Sequence, residues 1–133
     1  MHQSFLETDY IVFKNHKFEN NVVLKINQKV LDIDSANELN QPCAFITAWN
    51  PLPDILSLKE NRKRSEELKN DLIKRGYVFH EAMGISSDKK WSEESYFIEG
   101  IDLDSANELS QKYGQKAFVF CDSDCLVKLI YTH

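Results

Sequence analysis

Nine consecutive residues, Cys43-Ala44-Phe45-Ile46-Thr47-Ala48-Trp49-Asn50-Pro51, constrain this chain more than any other stretch. An apolar run of strand length breaks abruptly into an Asn-Pro step, which neither a strand nor an early helix continues without interruption. The reading is a buried strand over Cys43 to Trp49, with polar groups gathered at its carboxyl end. The residues before it prepare that strand, and those after it pack on it or face its end.

The remaining β-rich runs set the other strands. Tyr10 to Phe13 and Val22 to Ile26 form a hairpin across a long polar connection. Tyr77 to Phe79 begins another strand, Met83 to Lys90 reads as a polar loop, and Tyr96 to Ile98 comes next. Lys116 to Cys121 and Leu126 to Tyr131, joined at Asp122-Ser123-Asp124, form a terminal hairpin. Among these runs lies the clearest regularity in the sequence. Leu31 to Gln41 returns as Ile101 to Gln111, with eight of eleven positions identical. Each copy contains Ser-x-x-Glu, a capping box in which hydroxyl and carboxylate satisfy free amides of a first helical turn. Two similar strand–short helix–strand units are one reading, and convergence on the same helix-start chemistry is the other. Ser57-Leu58-Lys59-Glu60 is a third capping box, and its helix runs to about Arg75 with Gly76 as a left-handed stop. Leu58, Leu68, Leu72 and Ile73 supply its apolar stripe, sparse in the first half.

Interleaved strands and helices predict an α/β fold, with α+β as the variant. The expected architecture is a single mixed β-sheet of about six or seven strands with three helices and at least one parallel crossover. At 133 residues, with 42% hydrophobic and 28% charged, the chain suits one globular domain over 1–133. Its formal net charge of −5 opposes broad binding to a nucleic-acid backbone. No apolar run reaches the ~20 residues of a membrane helix. Met1 to Glu7 has no basic stretch followed by a long apolar one, so an export signal is not expected. Three cysteines, with Cys121 and Cys125 lacking a second ligand pair, read as thiols of a reducing cytoplasm.

The residues able to carry chemistry sit mostly after predicted strands, where ligands of open sheets collect. Thr47 offers a hydroxyl, and Asn50 offers two donors and an acceptor; a turn-capping Asn before Pro51 is the structural alternative. Lys59, Arg62, Lys63 and Arg64 crowd a helix start, where free amides and guanidinium groups can meet an anion. A solvated face explains them equally. Ser57, Asn61, Arg64 and Leu68 share one side of that helix, so Asn61 and Arg64 face a common neighbour. Glu93 and Glu94 come just after Trp91, whose ring can desolvate a carboxylate and raise its pKa. On a strand the two point to opposite faces, so at most one serves a given pocket. His80-Glu81 is too little for a metal site, and the sequence has no Gly-rich phosphate loop, nucleophile elbow or paired-cysteine motif.

At Phe45 to Pro51, Glu60-Asn61 with Arg64 and Leu68, Trp91 to Ser95, Gly100-Ile101, Ala106 and Tyr113 to Ala117, the chain resembles a bacterial family. That family is catalogued only as a domain of unknown function, number 3293, and the likeness covers about residues 20 to 125. This chain has Tyr113 where the family often has Phe, and Leu52-Pro53 where a small polar residue is more usual. The resemblance implies a small soluble bacterial domain and supplies no activity. It suggests grouping Thr47, Asn50, Asn61, Glu94, Ser95 and Gln115, either around a polar pocket or in a network tying strand ends together.

Two alternative functions are expected. In the first, a nucleotide-like polar or anionic ligand is oriented by Thr47, Asn50, Asn61, Ser95 and Gln115. Arg64 meets its anionic group, and Glu94 is the acid/base candidate should a reaction occur. In the second, the acidic chain is an inhibitor, immunity or accessory protein docking on a basic partner. No metal or cofactor is assigned, and nucleic-acid contact ranks last.

Overall fold

The Cys43–Pro51 stretch does form a strand with a break after it. In the structure, a computed structural model, that strand lies inside a seven-stranded sheet rather than at its edge. Residues 2–29, 41–51, 55–122 and 126–133 are described. In chain order the elements are α1 (His2–Glu7), β1 (Asp9–Val12), β2 (Val22–Leu24), β3 (Cys43–Thr47), α2 (Leu58–Arg75) and β4 (Val78–Ile85). They continue with β5 (Ser92–Glu99), α3 (Leu103–Lys112), β6 (Ala117–Cys121) and β7 (Val127–Tyr131). The first copy of the repeated stretch, residues 31–40, lies outside the described residues, as do 52–54 and 123–125.

The sheet order is β2-β1-β4-β5-β3-β6-β7. Every pairing between neighbouring strands is antiparallel, so the expected mixed sheet with a parallel pair is corrected. The reason lies in β5. The turn after β4 is short enough for β5 to fold straight back on it, in register from Val78↔Glu99 to Ile85↔Ser92. β5 therefore occupies the place beside β3 that a parallel β4 would have taken. Thus β3 and β4 run the same way with β5 between them, and β5 and β6 run the same way with β3 between them. Two split crossovers, β3–α2–β4 and β5–α3–β6, make the β-α-β-β-α-β arrangement of ferredoxin-like folds. The β1–β2 hairpin extends it on one side and β7 on the other.

The two faces of the sheet bury different sets of residues. One packs Ala44, Ile46, Tyr96, Ile98, Phe118 and Phe120 under Leu68 and Leu72 of α2 and Ala106 and Leu109 of α3. The other gathers Tyr10, Val12, Leu24, Cys43, Phe45, Phe97, Val119 and Val127, with Phe5 and Leu6 of α1 against it. That second face is concave because the sheet curls until its edges touch. Asn27 N–H donates to Val127 O at 2.7 Å, Val127 N–H donates to Gln28 O at 3.0 Å, and Lys29 bridges Leu126. Phe97, Ile46, Leu68 and Leu72 are completely buried or nearly so, each contributing about 1.5–3 kcal/mol by leaving water. Cys43 and Cys121 are register partners across β3 and β6, and both are buried.

Local signals at α2 act as the sequence indicates. Ser57 Oγ accepts from Glu60 N–H at 3.1 Å, and Gly76 takes φ +79° at the far end. The sparse first half of its stripe has a cause: the buried residues are Asn61, Ser65, Leu68 and Leu72, while Leu58 and Ile73 are exposed. The first two turns dock by hydrogen bonds and the later ones by apolar contact. In α3 the cap is Asp102, whose carboxylate accepts from Ser105 N–H at 2.7 Å, so the expected cap at Ser105 shifts by three residues. The polar loop expected over Met83 to Lys90 is shorter, because β4 runs on to Ile85, and β5 starts at Ser92 rather than Tyr96. None of the described helices is long and apolar enough to cross a membrane.

Candidate functional site

Past the end of β3 the chain turns at Asn50, which adopts φ +44°, a left-handed conformation that Asn tolerates better than most residues. The corner is held by a reciprocal amide pair. Asn50 N–H donates to Asn61 Oδ1 at 2.9 Å, and Asn61 Nδ2 donates back to Asn50 Oδ1 at 2.9 Å. Asn50 Oδ1 also accepts from Leu56 N–H at 3.0 Å. Trp49 Nε1 donates to Ser65 Oγ at 2.9 Å, which binds the same corner to the second turn of α2.

Most of the polar residues singled out from the sequence converge here, and most are spent on backbone. Arg64 Nε donates to Ala48 O at 2.7 Å, and its Nη2 donates to Tyr113 O. Gln115 Nε2 donates to Trp49 O at 2.9 Å, Thr47 Oγ1 to Glu94 O at 2.7 Å, and Ser95 Oγ to Glu93 O at 3.1 Å. Gly114, at φ +72°, lets the loop before β6 lie against Pro51; a Cβ there would stand 2.6 Å from the proline Cβ. These bonds tie the ends of β3, β5 and β6 to α2. Thr47, Ser95 and Gln115 also line a recess and Asn50 an adjoining groove; Asn61 and Arg64 line neither of these two.

The alternation of β5 separates the two acidic neighbours. Glu94 points to the side of α2, where Arg62 Nε lies 3.6 Å from its carboxylate; the Arg62 side chain is mostly in solvent and that of Glu94 partly so. Glu93 shares the concave face with Ser95 and Phe97. It stands between a small recess of about 50 Å³ and an open groove of about 430 Å³. Phe5, Tyr10, Phe45, Thr47, Trp91 and Gln115 are among the residues lining the recess. Glu7, Asn50, Ile55, Asp88, Lys90 and Trp91 line the groove. Thr8 belongs to both.

The Glu93 carboxylate accepts one hydrogen bond among the described residues, from Asn50 Nδ2 at 3.2 Å. Burial pushes its pKa up to about 7, and the Asn50 bond offsets that only in part. Tyr10 faces it; burial pushes the Tyr10 hydroxyl up, a hydrogen bond with Thr8 opposes this, and the Glu93 charge adds to the rise. That hydroxyl donates to Phe5 O at 2.9 Å. A carboxyl that changes charge near neutrality at a cavity mouth can exchange a proton with a bound group or orient one.

A second ionisable cluster closes the opposite end of the same face. His80 Nε2 lies 2.5 Å from Glu99 Oε2, and Lys17 Nζ pairs with Glu99 Oε1. Burial pushes the Glu99 carboxyl up, but the bonds from Lys17 and His80 outweigh it and hold the group below the ordinary range. The rings of Phe18 and His16 stand 5.3 and 6.2 Å from His80. Among the described residues no group of three or more His, Cys, Asp and Glu side chains is placed to hold a metal ion.

Sequence reasoning did not single out Tyr10, Thr8, Glu7, Ile55, Asp88 or Lys90, and it named Glu94 as the acid/base candidate while leaving open which of Glu93 and Glu94 faces a pocket. The period of two along β5 is the signal that separates them onto opposite faces, and the fold sets which face carries the recess. Once the strand is extended back to Ser92, Glu93 falls on the face of Phe97 and Glu94 on that of Tyr96 and Ile98. A family model described as a protein of unknown function (DUF3293) matches residues 46–118, which contain the Asn-Pro corner, α2 and both acidic neighbours. No curated protein and no solved structure matches the chain.

Proposed function

The chain belongs to the DUF3293 family, and from its geometry we propose that it binds a small polar ligand in the groove beyond the carboxyl end of β3, with Glu93 as the central group. The observation carrying this reading is a half-buried carboxylate with a neutral amide as its one hydrogen-bond partner among the described residues, at the junction of a recess and a groove. A side chain of that kind does nothing for a core that apolar residues fill more cheaply. The groove also has the size of a small-molecule site. Asn50 orients Glu93, while Thr47, Ser95 and Gln115 present polar edges to the recess. Asn61 and Arg64 act one step back, by holding the corner. Glu93 takes the acid/base role that the sequence alone offered to Glu94. The anionic ligand expected from Arg64 has less support, because that guanidinium is engaged by two carbonyls.

The test is a ligand-observed NMR screen of a metabolite panel, repeated with Glu93→Gln and with Arg62→Ala as a control outside the groove. A compound that binds the parent and the Arg62 variant but not the Glu93 variant supports the proposal. Binding indifferent to Glu93, or no binding across the panel, removes it.

Docking of a protein partner is the second reading, favoured by Ile55 and Trp91, exposed by 86% and 43% at the groove. Under it, a Trp91→Ala variant loses capture of a native partner while the metabolite screen stays silent.

A further inference from the structure

Granting the small-ligand reading, we infer that the group entering the recess beside Glu93 is an organic ammonium ion. The inference rests on what surrounds that carboxylate. Phe5, Tyr10, Phe45 and Trp91 wall the recess, and the edge-to-face contact of Tyr10 with Phe45, ring centroids 5.2 Å apart, holds two of them rigid. Aromatic faces attract cations, and the attraction grows as water is excluded. A half-buried carboxylate beside such a wall, whose one hydrogen-bond partner among the described residues is a neutral amide, has no ion pair among those residues. By contrast Glu99, on the same strand, has Lys17 and His80.

The wider groove carries the same sign. Among the described residues its ionisable lining is Glu7 from α1, Asp88 and Lys90 from the β4–β5 turn, and Glu93 itself; leaving aside Glu7, which has a partner of its own, Asp88 and Glu93 still outnumber the one ammonium. Asp88 is held charged by its bonds from Ser86 and from Lys90 N–H. An anionic head group would meet this surface unfavourably, and a neutral one would leave Glu93 uncompensated. The recess, at about 50 Å³, admits an ammonium carrying a few carbons and no more. The rest of the molecule then lies in the groove against Trp91 and Ile55. A primary ammonium donates to the Glu93 oxygens, and a quaternary one relies on charge and the rings; the shared chemistry is the alkylammonium head. A free amine and a lysine side chain both carry it.

The experiment tracks backbone amide and Trp indole NMR shifts during titration with choline, ethylammonium, a lysine tripeptide and 3,3-dimethylbutan-1-ol, the uncharged isostere of choline. At pH 8 at least one ammonium probe is expected to shift resonances of Tyr10, Trp91 and Glu93, and to bind at least tenfold tighter than the neutral isostere. The same probe binds at least tenfold more weakly at pH 5.5, where Glu93 takes up its proton, and to Glu93→Gln at pH 8. Circular dichroism establishes that the variant is folded, and Arg62→Ala controls for altered surface charge. A stronger response to the tripeptide than to free amines assigns the head group to a lysine side chain. Equal binding of the neutral isostere, unchanged affinity in Glu93→Gln, or silence from every ammonium probe overturns the inference. If neutral or anionic metabolites still bind in a Glu93-dependent way, the small-ligand reading survives its loss.

Discussion

Glu93 and Glu99 stand on one face of one strand, roughly 20 Å apart at ordinary strand rise, yet the fold treats them oppositely. Glu99 is closed in by Lys17 and His80 and is held below the ordinary carboxylate range despite its burial. Glu93 has the amide of Asn50 and is pushed up to about 7. Burial alone therefore does not set the direction in which a carboxyl shifts. What distinguishes the two is whether the protein supplies the opposite charge itself. Glu99 closes one end of the curled sheet, and Glu93 leaves its charge for something else to satisfy at the other.

The contrast can be broken from either end. The largest effect belongs to the compensated side. His80→Ala removes a buried ring and one of the two side-chain partners of Glu99 and should cost roughly 3–5 kcal/mol, read by denaturant unfolding at pH 7. Because the Glu99 pKa is depressed on folding, its contribution is present above the unfolded carboxylate range and fades as the pH falls through the folded value. The deficit of the variant should shrink accordingly in acid. A variant as stable as the parent would mean the cluster locks nothing.

Glu93 should show the reverse slope. Its folded pKa, about 7 against 4.5, means that stability is fully present below pH 4.5 and is lost as the pH rises through 7. Glu93→Gln should therefore gain up to about 3 kcal/mol at pH 8 and little at pH 4. A flat difference across that range would show that Glu93 is solvated after all. The smallest effect sharpens the comparison with its neighbour. Arg62 and Glu94 form an exposed pair on the other face of the same strand, and Arg62→Ala should change stability by less than about 0.5 kcal/mol. A larger loss would mean that the helix side carries an electrostatic demand of its own.

How much of the molecule is legible in its sequence varies with how local the cause is. Ser57 and Gly76 bound α2 as written, because caps depend on a few adjacent residues. Capping still misleads at Ser105, where two capping types compete within four residues and Asp102 wins. The polar residues after the strands do gather in space, as Thr47, Asn50, Asn61 and Gln115 show. Their partners are not legible, since a side-chain amide serves a ligand or a carbonyl with the same atoms. The antiparallel sheet is hidden for a related reason: interleaved helices and strands are compatible with a direct or a split crossover, and only the placement of β5 decides which.

What the sequence determined by itself is therefore most of the strands, the bounds of α2 and the segments that meet at the Asn-Pro corner, because each is written in short-range pattern; α1 and the cap of α3 were not legible in it. The tertiary structure alone decided which acid lies inside. One residue of register along β5 exchanges Glu93 for Glu94, and that register is fixed by the burial of Phe97 on one face and Tyr96 and Ile98 on the other. It alone also decided that Lys17 and His80 reach Glu99 rather than Glu93: His80 comes beside it through the pairing of β4 with β5, and Lys17 through the placing of the β1–β2 connection.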